Sequence, residues 1–83
     1  MASVERVIAQ FSNNFRQVRT SLGWSPAVLA ERAGLDPALV EALESGAAEA
    51  FGDLDLGMLT ALARVMDCDL SRFFEGAEAP QDQ

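Results

Sequence analysis

Two short segments between residues 25 and 46 begin in the same way, with a capping residue followed by proline. Ser25-Pro26 and Asp36-Pro37 both place a favoured N-cap before a proline at the first helical position, where the missing N–H would have no partner in any case. Gly34 and Gly46 supply residues at which a helix can end in the left-handed conformation. The link between the two predicted helices is too short for antiparallel packing, so they must cross steeply, as in a helix-turn-helix unit over residues 25–46.

A longer amphipathic pattern precedes this unit. Apolar residues at steps of three and four predict one long N-terminal helix, which Ser3 can cap and Gly23 can end. The segment Ser12–Asn14 has low helix propensity and can mark a bend. Trp24, the single tryptophan, is expected to fill the core between this helix and the next. The apolar positions of the pattern are Val4, Val7, Ile8, Phe11, Phe15, Val18 and Leu22.

The second half of the chain predicts two more helices. Residues 47–54 show no periodic pattern, and we expect a loop there. Asp55 can cap a helix whose buried side extends to Met66. Asp69 can cap a last short helix that ends at about residue 75.

These patterns predict an all-α fold of five helices with no strand and no internal repeat. A chain of 83 residues forms one domain, which we place at residues 1–76. Residues 77–83 are small and polar, and we expect a flexible tail.

The charge of the chain is acidic and unevenly distributed. The net charge is −7 and the pI about 4.2, whereas a nucleic-acid-binding domain usually has a pI above roughly 9. Residues 1–36 carry four arginines and three acids, a net charge of +1. Residues 37–83 carry ten acids and two arginines, a net charge of −8. The acidic half therefore favours a basic partner.

The residues needed for catalysis or metal binding are scarce. The chain has no histidine, tyrosine or lysine, so catalytic triads, ordinary zinc clusters and Schiff bases are excluded. Cys68 lies between two aspartates that would raise its pKa, which does not favour a reactive thiol. The aspartates at 53, 55, 67 and 69 do not have EF-hand spacing, and helix capping explains them better. We expect no enzyme activity, no cofactor and no metal.

The location of the protein is predicted from three absences in the sequence. No apolar run approaches the roughly 18 residues of a membrane span, and no secretory signal is visible at the N-terminus. With a single cysteine and therefore no internal disulfide, the chain is predicted to be cytoplasmic.

Five segments together resemble the phage-repressor (Cro/XRE-type) helix-turn-helix family from about Phe15 to Phe74. They are FRQVR, LGWS, LAERAGL, LVEALESG and LTALARVMDCDLSRFF, and their order and spacing carry the resemblance. The resemblance implies a five-helix, lambda-repressor-like domain, here with an extended N-terminal helix, that binds operator DNA as a dimer. The helix from Pro37 to Ser45 would enter the major groove. The resemblance also implies a structural ion pair between Arg19 and Glu44.

The positions that would contact DNA carry few suitable donors. Alanine has none, and Glu41 can accept only from cytosine while it repels phosphate. We therefore predict a transcriptional regulator whose binding to double-stranded DNA is weak or assisted by a partner. The alternative is a protein-binding module on the same fold, antitoxin-like, anti-repressor or co-regulator, that does not bind DNA itself. The candidate DNA-contacting residues are Arg16, Ser25, Arg32, Ala38, Glu41, Ala42 and Ser45.

Apolar side chains in excess of what one small core can bury predict a homodimer. The alternative is that the segment from Val4 to Phe11 folds back onto the core of its own subunit. The candidate interface residues are Val4, Val7, Ile8, Phe11, Phe51, Phe73 and Phe74.

Overall fold

The computed structural model describes residues 4–76. Ser3 and the predicted tail at 77–83 lie outside the described residues. The described chain contains five α-helices, one 3-10 helix and no strand, so the all-α prediction is confirmed. The helices are α1 (Val4–Ser21), α2 (Pro26–Ala33), α3 (Pro37–Ser45), α4 (Ala48–Gly52), α5 (Leu56–Val65) and the 3-10 helix (Leu70–Phe74).

Local side chains explain where the helices of the helix-turn-helix unit, residues 25–46, begin and end. The Ser25 hydroxyl accepts from the backbone N–H of Val28 at 3.2 Å, and the Asp36 carboxylate accepts from that of Ala38 at 2.9 Å. Gly34, after α2, has a φ of 72°, which a residue with a Cβ adopts only with strain. These local features place the start of α2, the turn and the start of α3 where the sequence predicts them.

Aromatic rings from α1 and the 3-10 helix form the centre of the core. Phe11 and Phe15 stack with ring centroids 5.6 Å apart, and Phe73 meets both rings edge-on at 5.5 Å. All three side chains are fully buried. Leu29, Leu43 and Leu62 bring α2, α3 and α5 onto the same core, and none of them is exposed.

The prediction of a loop at residues 47–54 is wrong in part, because this segment contains α4. This helix has five residues, too few for an apolar period to show in the sequence, and no side chain caps its start. Tertiary packing stabilises it instead. Ala50 is buried in the core, and the ring of Phe51 lies edge-on to that of Phe11 with centroids 5.1 Å apart.

The predicted last helix is a 3-10 helix rather than an α-helix, and the side chain of Asp69 does not cap it. Residues 4–76 thus contain four of the five predicted helices as α-helices, the fifth as a 3-10 helix, and the additional helix α4 in the predicted loop.

The polar residues in the middle of α1 do not interrupt it. Ser12 and Asn14 are buried, and both donate hydrogen bonds to other elements. The Ser12 hydroxyl donates to the carbonyl oxygen of Leu43 in α3. The Asn14 amide donates to the carbonyl oxygens of Phe73 at 3.0 Å and Glu75 at 2.8 Å. These contacts join α1 to α3 and to the 3-10 helix, and they offset the low helix propensity of the segment.

None of the helices in residues 4–76 combines the length and the apolar character that a membrane crossing requires.

Candidate nucleic-acid interface

The two sides of α3 differ in what they contact. Val40 and Leu43 are fully buried and pack into the core. The opposite side carries Ala38, Glu41 and Ser45, all exposed, beside the half-buried Ala42. We call these four residues the outer face of α3. Because the outer face contains two alanines, one serine and one carboxylate, its single side-chain donor is the hydroxyl of Ser45, which already donates to a backbone carbonyl oxygen.

A buried ion pair fixes α3 against α1. Arg19 meets the Glu44 carboxylate with two donors, Nε to Oε2 and Nη2 to Oε1, the second at 2.8 Å. A third donor, Nη1, reaches the carbonyl oxygen of Trp24 at 2.7 Å. The side chains of Arg19 and Glu44 are only 11% and 9% exposed. Arg19 is therefore committed to the structure and is not available to a phosphate.

Arg16 and Ser45 lie on one groove, between the outer side of α1 and the end of α3. The groove has a volume of about 340 Å³ and also exposes Asn13. Arg16 is exposed, and the Ser45 hydroxyl donates to the carbonyl oxygen of Ala42 at 3.0 Å. Two of the predicted contact residues thus share a surface, and Arg16 supplies its positive charge. Glu5 lines the same groove and opposes that charge.

The remaining two predicted contact residues lie at α2 and already have partners. The Ser25 hydroxyl accepts the capping bond from Val28, although its proton can still be donated. The guanidinium of Arg32 lies 4.7 Å from the centroid of the Trp24 ring, a cation–π contact. Arg32 is exposed, so its charge can act on a phosphate while one side of the guanidinium stays on the ring.

Comparison with known protein families identifies the architecture. A helix-turn-helix family profile matches residues 15–73, which is most of the chain. The chain belongs to the Cro/C1-type helix-turn-helix family. Domains of this family bind double-stranded DNA and have regulatory roles. Comparison with curated proteins and with solved structures gave no significant match.

Acidic residues predominate in the sequence in and around α3 of this helix-turn-helix domain. From Ala33 to Ala63 the sequence has six acids and no basic residue. Only one of the six, Glu44, forms an ion pair with an arginine within the described residues. A phosphate that approaches α3 therefore meets the negative charge of Glu41, while Arg16 lines the neighbouring groove together with Ser45.

Cys68 has the character of a structural residue. Burial raises the pKa of its thiol. The positive charge of Arg72 lowers the pKa, and the negative charges of Asp69 and Asp67 raise it, so that the net shift is upward. A raised pKa leaves little thiolate at neutral pH, and the thiolate is the nucleophilic form.

The predicted dimer residues divide into buried and accessible groups. Phe11 and Phe73 are fully buried within one subunit, so neither can lie at an interface. This corrects the expectation for these two residues, and the reason is that the rings of α1 and the 3-10 helix pack on each other. Phe51 and Phe74 are half-buried against the same core. Val4 is 74% exposed. Val7 and Ile8 are half-buried.

Sequence reasoning missed the roles of Ser12 and Asn14. Both are small polar residues on the apolar side of an amphipathic helix, and that position is the one signal that could have indicated buried hydrogen bonds.

Proposed function

We propose that the protein is a transcriptional regulator that binds double-stranded DNA through α2 and α3, weakly or with the help of a partner. The observation that carries this proposal is the family match over residues 15–73, together with an intact helix-turn-helix scaffold. The outer face of α3 remains accessible for insertion into a major groove.

The side chains of α3 limit how well DNA can be read. A bidentate contact from arginine, asparagine or glutamine contributes about 1–3 kcal/mol of base discrimination. The outer face of α3 has none of these residue types. Specificity therefore has to come from DNA shape or from a partner.

The positive charge for binding comes from Arg16 and Arg32, since Arg19 is held by Glu44. Two phosphate contacts give weak and salt-sensitive binding, because each releases about one counterion from duplex DNA. A homodimer doubles this number, and we propose that two copies associate through the accessible apolar residues. The candidates, of which the interface uses some, are Val4, Val7, Ile8, Phe51 and Phe74.

The test is to reverse the charge at the centre of the outer face. Glu41→Arg should raise the affinity for random duplex DNA by at least about tenfold at ~50 mM salt, because it removes a repulsive charge and adds a phosphate contact. Fluorescence anisotropy with a labelled duplex measures the change. The matched control is Glu75→Arg, which makes the same charge change at an exposed residue after the 3-10 helix. Equal effects of the two substitutions, or none from Glu41→Arg, would contradict docking through α3.

A second candidate function is a protein-binding module that does not contact DNA. The observation that favours it is an outer face without base-reading donors, within a stretch of the chain that has no basic residue. The same anisotropy experiment separates the two functions. Wild-type protein that fails to bind duplex even at ~20 mM salt, where electrostatic attraction is strongest, would leave only the protein-binding function.

A further inference from the structure

A second groove separates α3 from α4 and its preceding residue. It has a volume of about 340 Å³, and we call it the α3–α4 groove. Its apolar surface consists of Ala38, Leu39 and Ala42 from α3, together with Ala47 and Ala50. Four of these five side chains are methyl groups, so neither helix fills the space between them. The groove is large enough to accept an aliphatic side chain, and lies at the lower end of the range of ligand-binding clefts, about 300–1,000 Å³.

Carboxylates surround this apolar surface. Asp36, Glu49 and Asp53 line the groove, and all three are exposed. Asp36 uses one oxygen to cap α3 and retains its charge. No arginine lines the groove. An occupant therefore meets an apolar centre and a negatively charged edge.

We propose that the α3–α4 groove binds a cationic segment of a partner protein, with an aliphatic side chain in the groove and lysine or arginine side chains beside the three carboxylates. Apolar anchors fitted into a groove supply affinity in many peptide complexes, and complementary charge at the edge supplies orientation and selectivity. This proposal does not rest on the DNA binding proposed above.

Charge complementarity favours this occupant over two others. A DNA backbone would bring phosphates against Glu49 and Asp53, which repel them. A second copy of the chain carries a net charge of −7, and one arginine of its most basic helix, Arg19, is already paired with Glu44. A cationic protein segment is the occupant whose charge matches the edge.

The position of the groove gives the interaction a consequence for DNA binding. Ala38 and Ala42 belong both to the groove and to the outer face of α3. A segment seated in the groove covers part of the surface that would enter a major groove, so segment and DNA compete for α3.

A synthetic lysine-rich peptide with leucines at positions i and i+4 is the probe for the test, and the same peptide with serines in place of leucines is its control. Amide chemical-shift mapping on the full chain should place the leucine peptide at Ala38, Leu39, Ala42, Ala47 and Ala50. The double substitution Glu49→Gln with Asp53→Asn should weaken binding by about tenfold, and added salt should weaken it further. The matched control, Glu31→Gln with Asp67→Asn, also removes two exposed acids but lies outside the groove, and should change the affinity less than about twofold.

Three results would overturn the proposal. One is equal binding of the serine and leucine peptides, which would show attraction by charge alone. Another is an equal loss of affinity in the two double variants. The third is a set of shift changes outside the groove, or changes within it that appear with duplex DNA but not with peptide. DNA binding is scored separately by anisotropy, so the failure of one proposal leaves the other intact.

Discussion

At the scale of single residues, the ion pair between Arg19 and Glu44 affects both the stability of the domain and the positive charge left on its surface. It joins the first helix to the end of the third and largely buries one of the six arginines of the sequence. A buried pair of this kind destabilises a protein strongly when one partner is removed, because the other charge stays buried without compensation.

Glu44→Gln should lower the free energy of unfolding by about 3 kcal/mol, at the low end of the range for buried pairs because each side chain keeps about a tenth of its exposure. Urea denaturation measures the change. Glu41→Gln, three residues earlier and exposed, should stay within about 0.5 kcal/mol of the wild type. A similar decrease in the free energy of unfolding in both variants would show that the ion pair contributes little to stability.

At the scale of helices, α1 organises the molecule through polar as well as apolar contacts. Its Asn14 amide bonds two carbonyl oxygens at the end of the 3-10 helix, and its Ser12 hydroxyl bonds α3. The 3-10 helix has no side-chain cap of its own at Asp69. The position of this short element therefore depends on Asn14 and on the burial of Phe73.

Asn14→Ala should destabilise the domain by about 1–3 kcal/mol, because the carbonyl oxygens of Phe73 and Glu75 lose a donor and the site at Phe73 is buried. The rate of amide hydrogen exchange should increase most in the 3-10 helix. Chemical denaturation measures the change in the free energy of unfolding of the whole domain. The neighbouring variant Asn13→Ala is the control, since Asn13 is exposed and alanine favours helix. Equal stabilities of the two variants would contradict the role given to Asn14.

At the scale of the whole molecule, charge and apolar surface are separated. The acids concentrate around α3 and α4, while the first turns of α1 expose Val4 and lie before the start of the family match at residue 15. Like charge opposes association through the acidic side. The apolar start of α1 is therefore the surface on which we expect a second copy to bind.

Light scattering should show a dimer at about 100 µM, a concentration at which an interface of modest area is populated. Val4→Asp with Val7→Asp should give a monomer of unchanged helix content by circular dichroism. Leu56→Asp, which changes an exposed apolar residue on α5 instead, should remain a dimer. A monomeric wild type, or a dimer that persists in the double variant, would contradict this interface.

The sequence by itself determined the all-α fold and the starts of α2, α3 and α5, since caps and prolines act within a few residues of each helix end. The sequence also indicated that the outer face of α3 lacks bidentate side-chain donors for base edges, because residue type alone decides which hydrogen-bond donors a side chain has.

The tertiary structure decided the features that depend on residues far apart in the chain. The helix α4 forms because Ala50 and Phe51 pack on the core, a contact that no local pattern encodes. Phe11 and Phe73 proved to be core residues because each covers the other. The α3–α4 groove exists because methyl groups of two helices face each other without filling the space between them. In each case the burial of a side chain is set by its neighbours in space, which the order of residues does not specify.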